Sequence, residues 1–270
     1  LSTTGPLRTF SFAPPLGAAS IEQAPVNAFV DTDLGVAVDA GYAHDSTWQE
    51  GLPALRDLVL THHHGDHAGG LAAFARRQPT ARLWVPDPDL LPAALRPRAE
   101  RLGEGDTIAE GTLTALSTPG HAPAHIALWQ PAAGRLFAGD MVLGIGTPWV
   151  GPPEGDMVVY MQSLRRLAAL PVRELLPGHG PQADAGQVTW TLAHREGRLA
   201  EVASMLGAMG SATAAELVDR IYIERAGMTL VGPHRTIAEV TMDGYLAALA
   251  ADGKAAHGAD GRWRPAGSDG

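Results

Sequence analysis

Short apolar runs alternate along the first two thirds of the chain with turn residues and with stretches whose apolar positions recur at helical spacing. "VNAFVDTDLGVAVDAG" predicts two strands, around Ala28 and Val36, joined by a turn at Asp31 to Asp33. "LRDLVLTH" ends a third strand, "LAAFARRQ" reads as a helix, and "ARLWVP" returns to strand. From Asp106 to Phe137 come further strand-like runs, "TLTALSTPG", "IALWQP" and "GRLFAGD". "DMVVYMQSLRRLAAL" is helical, with Met157, Tyr160, Leu164 and Leu167 on one face. Strands and helices interleaved in this order predict an α/β layered fold.

Past Val188 the chain turns to helix formers. Leu192, Leu199, Val202 and Leu206 fall at helical spacing. Two T-x-x-E starts follow, Thr213 with Glu216 and Thr236 with Glu239, in which threonine and glutamate can cap each other's backbone N–H groups. "KAAHGADGRWRP" predicts a hairpin turning at Gly258 to Gly261. Three helices and a hairpin predict a small helical, winged-helix-like unit over 190–270 that ends in a flexible tail. Residues 1–189 are left as the larger domain.

Composition narrows the function classes. The 270 residues are 45% hydrophobic, enough for a full core, and the formal net charge is −9, which gives no general attraction to nucleic acid or an anionic membrane. The absence of cysteine leaves any metal site to imidazole and carboxylate. No apolar run is long enough for a membrane span, and "LSTTGPLRTFSFAPPLGAAS" lacks the pattern of a signal peptide, so a cytoplasmic location is expected.

Against that background "LVLTHHHGDHAGG" stands out, because four of the 11 histidines lie in six positions directly after a strand. A loop at a strand end lets His62, His64, Asp66 and His67 converge outside the sheet. Imidazole with carboxylate suits zinc and other divalent first-row ions. His62 and His64, two apart, can face one ion, while the Asp66–His67 pair reaches a second. A solvated polar tract is the alternative, and the aspartate inside the cluster between strand and helix argues against it. Three further positions close apolar runs beside a glycine: His121 in "TPGH", Asp140 in "LFAGD" and His179 in "LLPGHG". His63 lies between two candidate ligands and should point away from them.

This ordered series resembles the metallo-beta-lactamase superfamily over residues 26–181. The resemblance implies a four-layer αββα sandwich with a dinuclear metal site at one edge of its two sheets. It implies that His62, His64 and His121 hold the first metal, that Asp66, His67 and His179 hold the second, and that Asp140 bridges them. Two Zn2+ per chain are expected, with Mn2+ or Fe2+ as alternatives. Asp39 in "VDAG" matches the family's second-strand aspartate and is expected to hold the metal loop. His125 is either a residue behind the ligands or a satisfied core histidine. The implied chemistry is hydrolysis by a metal-bridging hydroxide, with Asp66 and Asp140 orienting it.

The motifs "TPGHAPAHIAL", "FAGDMVLGIGT", "YMQSLRRLAAL" and "LLPGHGP", followed by the helical tail, resemble the beta-lactamase-like endoribonuclease family. That resemblance implies a phosphodiesterase acting on single-stranded RNA. The alternative is a thioester or lactone hydrolase of the glyoxalase II type, acting on a small molecule. Residues 205–270 hold six Lys and Arg against eight Asp and Glu, so duplex DNA is not an expected partner; a packing or homodimerisation role is. The arginines from Arg76 to Arg101 are the candidate phosphate-contacting surface, unless they are scattered and solvated.

Overall fold

The computed structural model describes residues 7–14 and 25–267. Residues 1–6 and 15–24, which make up most of the segment read for a leader, and residues 268–270 of the expected flexible tail lie outside the described residues.

Two sheets form the centre. The first runs β1 (Leu7–Phe12), β2 (Val26–Asp31), β3 (Val36–Val38), β4 (Asp57–Val59), β5 (Arg82–Val85) and β6 (Ala99–Arg101) in that spatial order. It is antiparallel from β1 to β3 and parallel from β3 to β6. The second holds β7 (Thr107–Ile108), β8 (Leu113–Ser117), β9 (Ile126–Gln130), β10 (Arg135–Gly139) and β11 (Glu174–Pro177), in the order β11-β10-β9-β8-β7. Only its β10–β11 pair is parallel.

Alternation along each strand assigns side chains to layers, because successive residues face opposite sides of a sheet. In β3, Val36 and Val38 enter the core between the sheets, while Ala37 joins the outer face with Leu58 and Leu83. In β10, Phe137 points inward and meets Phe29 edge-on at 5.6 Å between ring centroids, while Leu136 and Ala138 face the other way. Helix α2 (Leu71–Arg77) covers the outer face of the first sheet through Leu71 and Phe74. Helix α3 (Met157–Ala168) covers the second through Met157, Tyr160, Leu164 and Leu167, the face expected from spacing. These layers are the αββα sandwich.

Helix α4 (Ala185–Met209), the short α5 (Ala214–Val218) with a π-helical turn at Asp219–Arg225, α6 (Pro233–Ala251) and the hairpin of β12 (Ala255–His257) and β13 (Trp263–Pro265) complete the chain. They share one apolar cluster with α3 and the second sheet. The expected boundary at 189/190 falls inside the unbroken α4, so no linker separates the two parts.

Three local expectations change. Strand β1 was not foreseen; it pairs along all six residues with β2. The box at Thr213 and Glu216 forms, but Thr236 lies inside α6, because Pro233, with its preset φ, starts that helix earlier; Glu239 instead pairs with Arg235 at 2.8 Å. Five of the six arginines from Arg76 to Arg101 are committed to the protein's own acceptors, Arg77 to Glu50 and Arg82 to Asp57 among them. Arg98 donates to the carbonyl oxygens of Ala75 (2.7 Å) and Pro79 (3.1 Å) at the end of α2, Arg96 to that of Leu91 (2.9 Å), and Arg101 to Asp87 (2.8 Å). Among the described residues no helix is long and apolar enough to cross a membrane.

Candidate metal centre

The C-terminal ends of β3, β4, β8, β10 and β11 lie on one edge of the sandwich and deliver, in turn, Asp39, the His62–His67 stretch, His121, Asp140 and His179. The loop after β4 enters the four-residue helix α1 (Gly65–Ala68), which carries Asp66 and His67. Glycine makes the approach feasible at Gly178, where an added Cβ would collide with the Asp140 carboxylate and lie 2.8 Å from the His67 ring.

All seven residues converge. Ligand-type atoms of His62, His64 and His121 lie within 4.8 Å of one another, as do those of Asp66, His67 and His179. His64 Nδ1 faces His121 Nε2 at 3.1 Å, and His67 Nε2 faces His179 Nε2 at 3.3 Å. Asp66 Oδ2 is 3.2 Å from His179 Nε2. Asp140 stands between the triads: its oxygens reach His67 Nε2 at 3.3 Å, His179 Nε2 at 3.5 Å, His121 Nε2 at 3.6 Å and His62 Nε2 at 3.9 Å.

The outer nitrogens show why these atoms face inward. Asp39, at φ +61° in a left-handed turn that aspartate tolerates, accepts hydrogen bonds from His67 Nδ1 (2.8 Å), Thr61 N (2.8 Å) and Thr61 Oγ1 (2.9 Å). With its proton given to Asp39, Thr61 Oγ1 accepts from His62 Nδ1 at 3.0 Å. His121 Nδ1 donates to the Trp149 carbonyl (2.7 Å), and His64 Nε2 to Glu154 (3.0 Å). Each ring thereby directs its remaining lone pair toward its neighbours, the arrangement that orients histidine ligands in metal sites. His62 Nε2 and Asp140 Oδ1 are buried with no hydrogen-bond partner, which a cation would supply. The donor set therefore fits divalent metal.

Electrostatics agree. Burial and the nearby His67 charge push the pKa of His62 well below its ordinary value. Burial opposes a charge on His67 too, but Asp140, Asp39 and Asp66 outweigh it and hold its pKa well up. Burial works to raise Asp140 and Asp66, yet His67 and His179 keep Asp140 well below the carboxylate range and Asp66 below it. A field that favours positive charge at His67 also favours a cation at the triads.

His125 lies directly behind Asp140. It is buried, with Nδ1 2.9 Å from Thr118 Oγ1, and its Nε2 accepts from the backbone N–H of Asp140 at 3.1 Å. It therefore fixes the backbone at Asp140. His63 does turn away from the triads, toward Glu154 at 3.4 Å. Sequence reasoning missed Glu154, the Trp149 carbonyl and Asn27, whose amide donates to the carbonyls of Pro177 (3.0 Å) and Gly180 (2.8 Å) on either side of His179. None of these lies in a repeated or ligand-like pattern; only the folded chain brings them to the histidines.

The Asp39 network gives a first prediction. In Asp39→Asn the amide N–H would face His67 Nδ1, moving the ring proton to Nε2 and removing the lone pair from the second triad. Metal affinity measured by chelator competition is expected to fall by about 10- to 100-fold. Affinity within about threefold of the parent would refute this orientation role.

The superfamily model for metallo-beta-lactamases matches residues 33–179, more than half the chain. A hydroxyacylglutathione hydrolase of Stenotrophomonas maltophilia is 37% identical over 152 residues, which cover 54% of this chain and 56% of that protein. A beta-lactamase-like protein 2 homolog of Caenorhabditis elegans is 29% identical over 179 residues, covering 62% and 57%. The chain thus spans little more than half the length of these curated relatives. A metallo-beta-lactamase family protein from Thermus thermophilus has the same fold, with a TM-score of 0.74 at 23% identity, over 96% of this chain and 98% of that one. The ordered ligand-type residues, the αββα layers and the matched model together place this chain in the metallo-beta-lactamase superfamily.

Proposed function

We propose that the protein is a dinuclear metal-dependent hydrolase of acyl substrates, thioesters or lactones. The convergence of two triads on the buried Asp140 carries the hydrolase reading. The acyl class is supported by the hydroxyacylglutathione hydrolase among its relatives. His62, His64 and His121 would hold one cation and Asp66, His67 and His179 the other, with Asp140 between. Zinc suits this imidazole and carboxylate set, with Mn2+ or Fe2+ as alternatives. Two such cations would supply Lewis acidity toward the acyl oxygen and lower the pKa of water.

The chain's own groups do the rest. Asp66, the more exposed of the two carboxylates, accepts the proton of the attacking water. The water oxygen bonds to the acyl carbon, the C–S or C–O bond breaks, and the proton passes from Asp66 to the departing sulfur or oxygen. A carboxylic acid, which loses its remaining proton to solvent, and a thiol or hydroxyl result. Asp140 keeps its charge throughout, Asp39 holds His67, and His125 holds the backbone at Asp140. Residues 190–267 form, in this proposal, a winged-helix-like unit that packs against the second sheet.

Cleavage of single-stranded RNA, the substrate expected from the sequence motifs, would use the same centre. Arg96, Arg98 and Arg101 give it little support, since their guanidinium groups already bond protein acceptors. Turnover of an acylglutathione thioester, an acyl lactone, a phosphodiester chromogen and single-stranded RNA by one metal-loaded preparation separates the readings. The thioester or lactone kcat/KM is expected to exceed that of both phosphodiesters by at least about 100-fold, ~2.7 kcal/mol in barrier. The reverse order would overturn the acyl assignment and favour the nuclease.

A further inference from the structure

Arg195 on α4 is 2% exposed, yet among the described residues no carboxylate pairs with it. Its guanidinium donates to Tyr245 Oη at 2.8 Å and to the Pro148 carbonyl, and lies over the rings of Tyr160 and Tyr245 at 5.4 and 5.9 Å. Nε is buried without a partner. A buried charge is ordinarily tolerated only when paired, so this one leaves a local excess of positive potential.

That excess borders a cavity of about 380 Å3 between α4, α6 and the Thr147–Trp149 loop. Trp149, Met228, Leu230 and Ile237 give it apolar walls. Its other guanidinium, Arg198, is already neutralised by Glu201 at 2.5 Å and stacks on Tyr222, so Arg195 is the cation without a counterion. Burial, together with the charges of Arg195 and Arg198, depresses the pKa of His194 on the same rim, as an uncompensated positive field should.

We propose that this cavity binds an organic anion with an apolar body, its carboxylate on Arg195 and its chain along the Trp149, Leu230 and Ile237 walls. The volume lies within the range of small-molecule sites, and apolar walls with one convergent charged group are what orient an amphiphilic ligand. A guanidinium with an unused donor matches a carboxylate in shape and charge. Trp149 joins this cavity to the metal centre, since its carbonyl accepts from His121. The site itself needs neither metal nor the hydrolase reading.

Calorimetric titration of the chelator-treated full chain with octanoate, octanamide and inorganic phosphate tests it. Octanoate is expected to bind at one site per chain, at least about tenfold tighter than octanamide, which lacks the charge, or phosphate, which lacks the apolar body. Arg195→Met should weaken octanoate by about tenfold or more. Ile237→Trp, which fills the cavity and leaves Arg195 in place, should do the same and keeps the test valid if the arginine variant fails to fold. No saturable octanoate binding, equal binding of octanamide or phosphate, or an unchanged Kd in Ile237→Trp would overturn the proposal. Because no metal is present, none of these outcomes depends on turnover.

Discussion

Asp140→Ala is expected to abolish hydrolysis of every substrate, by roughly a thousandfold or more, ~4 kcal/mol in barrier. Among the described residues Asp140 is the one carboxylate whose oxygens lie within reach of both triads, at 3.3 Å from His67 and 3.6 Å from His121. Its removal takes the shared acceptor from both sides at once. His64→Ala should match it in activity, because it deletes the nitrogen facing His121 while sparing the sheet core. Far-UV circular dichroism should be unchanged in both, since the apolar layers between and outside the sheets use neither side chain. Activity within about tenfold of the parent, only ~1.4 kcal/mol, would contradict the assignment.

Removal of divalent metal should have an effect of the same size. Protein purified without chelator is expected to carry two divalent ions per chain by elemental analysis, because the seven converging residues form two triads and a shared carboxylate. Stripping them should eliminate turnover and lower Tm by about 5–10 °C, the size expected when a ligand at roughly 100 times its Kd is withdrawn from a domain of this order. Re-addition should restore both. The unpartnered His62 Nε2 and Asp140 Oδ1 and the carboxylates around His67 are the physical source of that stabilisation. One ion per chain, with no anomalous peak beside Asp66 and His179, would sink the two-metal assignment while leaving the fold untouched.

The motif order told more about this protein than any single residue in it. Apolar runs ending in glycine beside His121, Asp140 and His179 are legible in sequence because both features are local: a strand needs alternation, and a ligand at its end needs a turn with room beside it. The inward face of α3 was legible for the same reason, as helical spacing is a property of the chain itself. Strand β1 was not, since its place at the sheet edge depends on pairing with β2.

What only the tertiary structure decided is the set of contacts made by groups far apart in sequence. Arg98 reads as a free cation until the end of α2 presents its unpaired carbonyls to it, and Glu154 reads as an ordinary loop acid until folding sets it against His64, 90 positions away. The same holds for Arg195, an ordinary helical residue in sequence whose charge becomes consequential because packing buries it between two tyrosines without a carboxylate. Sequence determined which residues could form strands, turns and ligands, because those are short-range steric and chemical preferences. Burial, pairing and the direction of each lone pair are long-range outcomes, and they arise only when the two sheets and the C-terminal helices close around the site.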